Sequence, residues 1–385
     1  MTGPLPYWRL AGFYFFYFGT LGALVPYWGL YLQSAGFRPA DIGALTAVLM
    51  ISRISAPLVW GWVADHSGHR IRLVRLTSLL AAICFAGTYL GTGFWWLALI
   101  MLAFSFFWHA ALPLLEVSVM NREAAHAGIY GRVRLWGSIG FIVAVTLLGA
   151  LVDWRGAWWV LPALSMLMSG IWLASLTLPE ASVAHHATDQ GRFRHVLRRP
   201  AVIAFLLSGV LMQASHGPYY TFYSIYLRAA GYDAGVIGLL WAFGVLCEIV
   251  AFVFMARIFA AMRVRTVLLG SFALASLRWL LIGLYPDVMP WLVFAQMLHA
   301  ASFGTFHAAS MQLVHRYFTG RHQHRGQAIY GGIAFGVGGT IGSFASGQLW
   351  ATAGPLVTFA CAAGAAALAF VVTLVFVERR ADAVT

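Results

Sequence analysis

The sequence contains no lysine: all 24 basic residues are arginine. Charged residues of both signs make up only 9% of its 385 positions, where a soluble domain carries about a quarter. The shortage of charge excludes a soluble enzyme, and the missing lysine excludes a Walker-type phosphate loop, so ATP does not drive this chain directly. Cysteine is scarce too. Cys84, Cys247 and Cys361 lie inside apolar runs without paired spacing, which indicates neither a disulfide framework nor a zinc site. No Ser-His-Asp, HExxH or paired-carboxylate arrangement stands at usable spacing, so no catalytic chemistry, metal or cofactor is expected. His315, His322 and His324 have a loose metal-like spacing but sit in an arginine-rich loop, and no metal is expected there. A signal peptide is also missing: the first apolar stretch, Tyr7 to Leu32, is too long for a signal core and no small-residue cleavage site follows it.

What the chain does have is apolar sequence, 61% of all residues. It comes in runs of about 20 residues, each long enough to cross a hydrocarbon core of about 30 Å. Twelve such runs are read at 8–32, 40–64, 73–91, 95–120, 132–152, 156–178, 200–227, 233–256, 266–285, 289–313, 327–349 and 354–377. The expectation is an all-α membrane protein with twelve transmembrane helices. The formal net charge of +12 does not point to nucleic acid, because the arginines cluster between the apolar runs, where they orient helices in a bilayer. Loops beginning near residues 65, 121, 179, 257, 314 and 378, with the N-terminus, collect nearly all of them. The opposite loops hold only Arg38, Arg155 and Arg228, which places both termini in the cytoplasm.

The longest polar stretch, 179–199, carries His185, His186, Arg192, Arg194, Arg198 and Arg199 and divides the spans six and six. It reads as a cytoplasmic linker between an N-terminal bundle, 1–178, and a C-terminal bundle, 200–385. The halves repeat. Tyr31-Leu32 with Ala35-Gly36-Phe37 and Ile42-Gly43 matches Tyr226-Leu227 with Ala230-Gly231-Tyr232 and Ile237-Gly238 at a constant offset of 195 (226 − 31). Ile129-Tyr130-Gly131 echoes Ile329-Tyr330-Gly331 more weakly. Two pseudo-symmetric six-helix halves in parallel repeat are the layout in which a transported solute sits near the membrane midplane.

Between the second and third spans stands Gly61-Trp-Val-Ala-Asp65-His-Ser-Gly68-His-Arg70, which resembles the loop signature of the major facilitator superfamily. The family usually has a basic residue where His66 stands, and the second half has no good copy at Arg257 to Arg265. The resemblance implies a gating role for Gly61, Asp65, Gly68 and Arg70: glycines permit a tight turn, and Asp65 can pair with an arginine or a helix N-terminus. Glu116 and the second arginine of Gly131-Arg132-Val-Arg134 are similar to the signature of lactose permease and its relatives. Arg278, His299 and Glu248 fall where that group keeps a proton-coupling site, but its principal carboxylate is replaced here by Ser302. A closer resemblance, over nearly the full length, is to the bacterial 3-phenylpropionate permease family, through Arg134-Leu-Trp-Gly-Ser138, Arg53, Ala230-Gly231-Tyr232, Glu248, Arg278-Trp279 and the segment from Leu298-His299 to His307. It implies uptake of an aromatic monocarboxylate with protons by a monomeric protein of the bacterial inner membrane. A sugar or nucleoside proton symporter, or an exporter of drugs or metabolites, stands as the alternative.

Charges inside spans are costly, about 2.5 to 3.5 kcal/mol each on insertion scales, so each calls for a partner or a cavity. Arg53 lies mid-span, and Glu248 is its repeat equivalent (53 + 195 = 248). Arg278 and His299 are central in the ninth and tenth spans. With Glu248 ionised, the two arginines leave one net positive charge for an anionic substrate, and the planar guanidinium of Arg53 suits a carboxylate. A fixed Arg53–Glu248 bridge is the competing reading. Glu248 and His299 are the candidate proton carriers, with Arg278 beside them; a packing role for His299 stays open. Glu116 and Arg134 read either as part of the binding cavity or as a clamp near the cytoplasmic end. Tyr220 and Trp241 are expected to line the substrate cavity, and Gln213, His216, Tyr220 and Tyr223 share one helical face. The glycines of the eleventh span, from Gly331 to Gly347, permit close helix approach.

Overall fold

In a bilayer every backbone N–H and C=O must be satisfied within the protein, and apolar runs of this length answer that demand by forming helices. The computed structural model describes residues 6–123, 129–180 and 190–378, and its regular structure there is helical. The helices are α1 (Tyr7–Ser34), α2 (Pro39–Ser67), α3 (Arg70–Ala86), α4 (Phe94–Glu123), α5 (Ile129–Arg155), α6 (Val160–Leu176), α7 (Gln190–Leu197), α8 (Pro200–Ser215), α9 (Gly217–Ala229), α10 (Ala234–Ala261), α11 (Val264–Leu284), α12 (Met289–His299), α13 (Phe306–Tyr317), α14 (Gln323–Tyr330) and α15 (Gly339–Phe376). All twelve apolar runs fall on helix. Ten helical stretches among the described residues are individually long and apolar enough to span a membrane. The last of them, Arg325–Phe376, contains two of the predicted runs, joined at a kink where Gly354 takes φ +81° ahead of Pro355. The tenth run is interrupted: α12 and α13 are separated by a wide π-type turn, Ala300–Thr305. His185 and His186 of the linker, and the side chains of Arg192 and His324, lie outside the described residues.

Two compact units emerge. The first is Met1–Phe37, Ile51–His185 and Tyr232–Ala242; the second is Arg38–Met50, His186–Gly231 and Phe243–Thr385. Contacts thus follow a different line from the repeat, because the first part of α2 packs in the second unit and the first part of α10 in the first. In the first unit α1 packs on α5 and α6, and α3 on α4. In the second, α15 packs on α8, α9 and α11.

Glycine explains how closely these helices meet. A Cβ built on Gly22 of α1 would lie 2.6 Å from the Phe141 carbonyl of α5, and one on Gly140 would collide with the backbone of Phe15. In the second unit a Cβ on Gly217, the repeat equivalent of Gly22 (22 + 195), would collide with the backbone of Gly342 on α15. Bare backbone surfaces let helices pack at van der Waals distance where no hydrophobic drive exists between them. The repeat also shows at the ends of α1 and α9. Gly36 and Gly231 both turn the chain with positive φ, +88° and +95°. In both places the alanine before the glycine donates its N–H back to a tyrosine carbonyl, Tyr31 or Tyr226. Glycine is the residue that takes this conformation without steric cost.

The large apolar side chains left exposed fit a lipid-facing surface. Tyr89, Trp95, Trp96, Trp154, Trp158 and Trp159 are exposed at the turns after α3 and α5 of the first unit, and Tyr285 and Trp291 at the turn after α11 of the second, where ring side chains suit the ends of membrane-spanning helices.

Candidate functional site

The first unit holds a polar cluster built around Arg53, half-buried near the middle of α2. Its Nε donates a 3.2 Å hydrogen bond to Nε2 of His109 on α4, while Nδ1 of the same ring lies 2.7 Å from the Ser52 hydroxyl. Ser52 and His109 are buried, at 1% and 5% exposure. Tyr17 of α1 stacks on Trp108, the neighbour of His109, with ring centroids 5.2 Å apart. Toward the end of α4, Tyr14 donates to Glu116 across 3.4 Å and stacks on Phe18. Arg134 of α5 sits over the other side of that aromatic pair, 3.9 Å from the Phe18 ring centre. That cation–π contact is the interaction the guanidinium of Arg134 makes on this side of the helix.

The second unit holds the other set. Arg278 of α11 is fully buried, and its hydrogen bonds go to three neutral oxygens: the Ala295 carbonyl at 3.0 Å, Gln296 Oε1 at 3.2 Å and Ser302 Oγ at 3.4 Å. Tyr219 and Trp279 flank its guanidinium, with ring centres 4.1 and 4.6 Å away. Tyr219 also donates to Gln296 at 3.0 Å, so the amide is held from two sides. Glu248 of α10 approaches Nε2 of His299 to 3.6 Å. A Cβ on Gly304 would come within 3.1 Å of Glu248, so the wide turn after α12 makes room for this carboxylate by carrying glycine. Nδ1 of His299 has no hydrogen-bond partner among the described residues. The shared face of Gln213, His216, Tyr220 and Tyr223 is interrupted at its centre, since α8 ends and α9 begins around His216 ahead of Gly217-Pro218. The His216 ring packs edge-on against Trp279, centroids 4.8 Å apart, and against Tyr220 at 5.6 Å. Trp241 is buried at 3% exposure in the part of α10 that belongs to the first unit.

The loop between α2 and α3 forms as its residues suggest. Gly68 takes φ +68°, and Asp65 is ion-paired to Arg70. Reading the sequence missed what completes this corner. Glu180 accepts hydrogen bonds from the N–H groups of Ile71 and Arg72 at 3.0 and 3.2 Å, capping the positive end of α3. Arg75 ties the same helix to the carbonyls of Ser175 and Leu178. Asp153 does for α10 what Glu180 does for α3, accepting from the N–H groups of Ala234 and Gly235 at 2.8 and 2.7 Å. Ser52, His109, Tyr219 and Gln296 were also missed as partners of the two arginines. The available signal was a polar residue on an apolar helix, which has to find a partner. No group of three or more His, Cys, Asp or Glu is placed to hold a metal ion among the described residues.

Comparison with known proteins gives a consistent picture. Residues 7–361 match the model of the MFS_1 like family. A probable 3-phenylpropionic acid transporter of Escherichia coli K12 is 31% identical over 341 residues, covering 86% of this chain and 87% of the relative. The maltose permease of Geobacillus stearothermophilus is 26% identical over 346 residues, covering 88% and 86%. Among solved structures, the nucleoside transporter NupG superposes with a TM-score of 0.83 at 18% identity, over 96% of this chain and 98% of that one, a likeness of fold.

Proposed function

Because this chain belongs to the MFS_1 like family of membrane transporters, we propose that it is a proton-coupled symporter taking up a small organic anion, an aromatic monocarboxylate such as 3-phenylpropionate. The observation that carries this reading is Arg53, a half-buried guanidinium in the middle of a span whose Nε rests on a neutral ring nitrogen of His109. Such a group holds a carboxylate through parallel charged hydrogen bonds, and an uncharged sugar makes poor use of it. Tyr220 and Trp241 are assigned the contact with a phenyl group, which ring side chains suit, and Glu116 and Arg134 are assigned to substrate binding as well. The Glu248–His299 approach, with Arg278 nearby, is assigned to proton coupling, because it sets two groups able to bind a proton 3.6 Å apart. Gly61, Asp65, Gly68 and Arg70 act in gating through the Asp65–Arg70 pair. The six-plus-six division at 1–178, 179–199 and 200–385 is the unit of movement, and the arginine-rich loops hold both termini in the cytoplasm of a bacterial inner membrane. The protein acts as a monomer.

The test is uptake of radiolabelled 3-phenylpropionate into proteoliposomes under an inward proton gradient, with and without a protonophore. Liposomes carrying Arg53→Ala correct for passive entry of the neutral acid. Accumulation that needs both the gradient and Arg53 is the expected result, and uptake no greater than in the Arg53→Ala control discards the substrate. Similarity to a maltose permease and to a nucleoside transporter fold supports a second reading, a sugar or nucleoside symporter. Thermal stabilisation by maltose or a nucleoside, with none by the acid, would favour it.

A further inference from the structure

The Arg53–His109–Ser52 chain fixes where a hydrogen atom lies. Arginine has donors and no acceptor. The 3.2 Å contact from Arg53 Nε therefore requires a lone pair on Nε2 of His109, and the ring proton belongs on Nδ1, where it is donated to Ser52 Oγ at 2.7 Å. In this structure His109 is a neutral Nδ1–H imidazole, held in that tautomer by a cation. A proton arriving at Nε2 has to displace the Arg53 N–H, since two N–H groups cannot share that position. Protonation thus frees the Nε–H of Arg53 and adds a second donor, Nε2–H, beside it.

We propose that His109 is a proton site coupled directly to the anion: the substrate carboxylate and the proton enter together, the carboxylate accepting one hydrogen bond from Arg53 and one from the newly protonated Nε2 of His109. The proposal rests on the reading of Arg53 as the anion anchor and adds to the Glu248–His299 pair a second place where a proton is bound. No covalent bond changes. The proton comes from water, the Arg53–His109 hydrogen bond is replaced by two to the carboxylate, and the anion's charge offsets that of the imidazolium. Without the anion, two cations would face each other at hydrogen-bond distance, so proton and anion each favour the other's binding. Of the charged and titratable groups described in this unit, Arg53 on α2 contacts the ring, Tyr17 on α1 stacks on the neighbouring Trp108, and Tyr14, Glu116 and Arg134 contact one another or Phe18 toward the end of α4. Of these, Arg53 is the one within hydrogen-bond distance of His109 among the described residues.

The experiment has two arms, both on the full-length protein. In the first, 3-phenylpropionate is added to purified protein in weak buffer with a pH indicator, and protons taken up per anion bound are counted, binding being measured by calorimetry. Wild type is expected to take up about one proton more per anion than His109→Gln, whose side-chain oxygen can still accept from Arg53 but cannot hold a proton at neutral pH. Equal proton uptake by the two overturns the proposal. The second arm needs no substrate. Nitrogen-15 spectra of histidine-labelled wild type, minus those of His109→Gln, isolate the one ring. At about pH 8 a neutral Nδ1–H tautomer is expected, shifting to a mixture with Nε2–H in Arg53→Ala. An Nε2–H tautomer in wild type overturns the proton site. If the tautomer is as stated while 3-phenylpropionate does not bind, the substrate reading fails and the arrangement of the ring proton is supported. Should His109→Gln fail to fold, His109→Asn replaces it in both arms.

Discussion

Arg53 and Arg278, each near the middle of a span, are partnered in different ways, and the difference sets a half-buried guanidinium against a fully enclosed one. Arg53 is half-buried and leans on the ring of a neutral histidine. Arg278 is completely enclosed, with its Nε and both terminal nitrogens bonded to protein oxygens and its faces covered by Tyr219 and Trp279. A buried charge bonded on every nitrogen is costly to disturb, because removing it strips donors from several buried oxygens at once. The surrounding helices differ in the same sense. The helices α1, α2 and α4 run unbroken despite Pro26, Pro57 and Pro113, whereas those of the second unit break at His216, at Ala300–Thr305 and at Gly331–Gly338.

The contrast can be broken most forcefully at Arg278. Arg278→Ala strips a hydrogen-bond donor from each of the Ala295, Gln296 and Ser302 oxygens and opens a cavity between two rings, so a loss of about 3–5 kcal/mol is expected, seen as failure to purify or a large fall in Tm in detergent. Arg53→Ala should keep its Tm close to wild type while its affinity for 3-phenylpropionate falls about 10- to 100-fold, the worth of charged hydrogen bonds of about 1.5–3 kcal/mol, measured by calorimetry. A matching collapse of stability in both variants would erase the distinction. Gly22→Ala and Gly217→Ala probe the equivalent helix contacts of the two units. Each forces a Cβ onto backbone and should cost about 1–3 kcal/mol, and a large difference between their Tm shifts would mean the units tolerate strain unequally. The smallest effect is expected from Glu180→Gln, which weakens the cap on α3 by about 1 kcal/mol, read as faster amide exchange at Ile71 and Arg72.

Much of the fold was legible because it rests on composition and on local backbone chemistry. Twelve apolar runs gave twelve helical regions, and the equivalence of Gly36 and Gly231 was visible because each turn demands the same unusual φ. Arg53, Glu248, Arg278 and His299 could be singled out because a charge in an apolar run has no neutral explanation. Their partners were hidden. Which residue Arg53 meets depends on the rotation of α4 about its axis, and an apolar helix buried or lipid-bathed on every side leaves no amphipathic stripe from which to read it. Glu180 and Asp153 cap helices 109 and 81 positions away, beyond the reach of any local pattern. The π-type turns were hidden for the same reason as the rotation: an extra residue in a helix changes no composition.

That extra residue has a consequence for counting along the tenth span. On a straight α-helix, side chains four apart drift by about 40° per step. Through the wide turn the drift is largely cancelled, and His299, Phe303 and His307 stack as a column, with successive centroids 5.4 and 6.3 Å apart and planes within 12° and 9° of parallel. A ladder with rungs every four residues therefore replaces the usual alternation of three and four. An alignment that assumes ideal helical geometry would turn His307 away from His299 and assign the two rings to different faces.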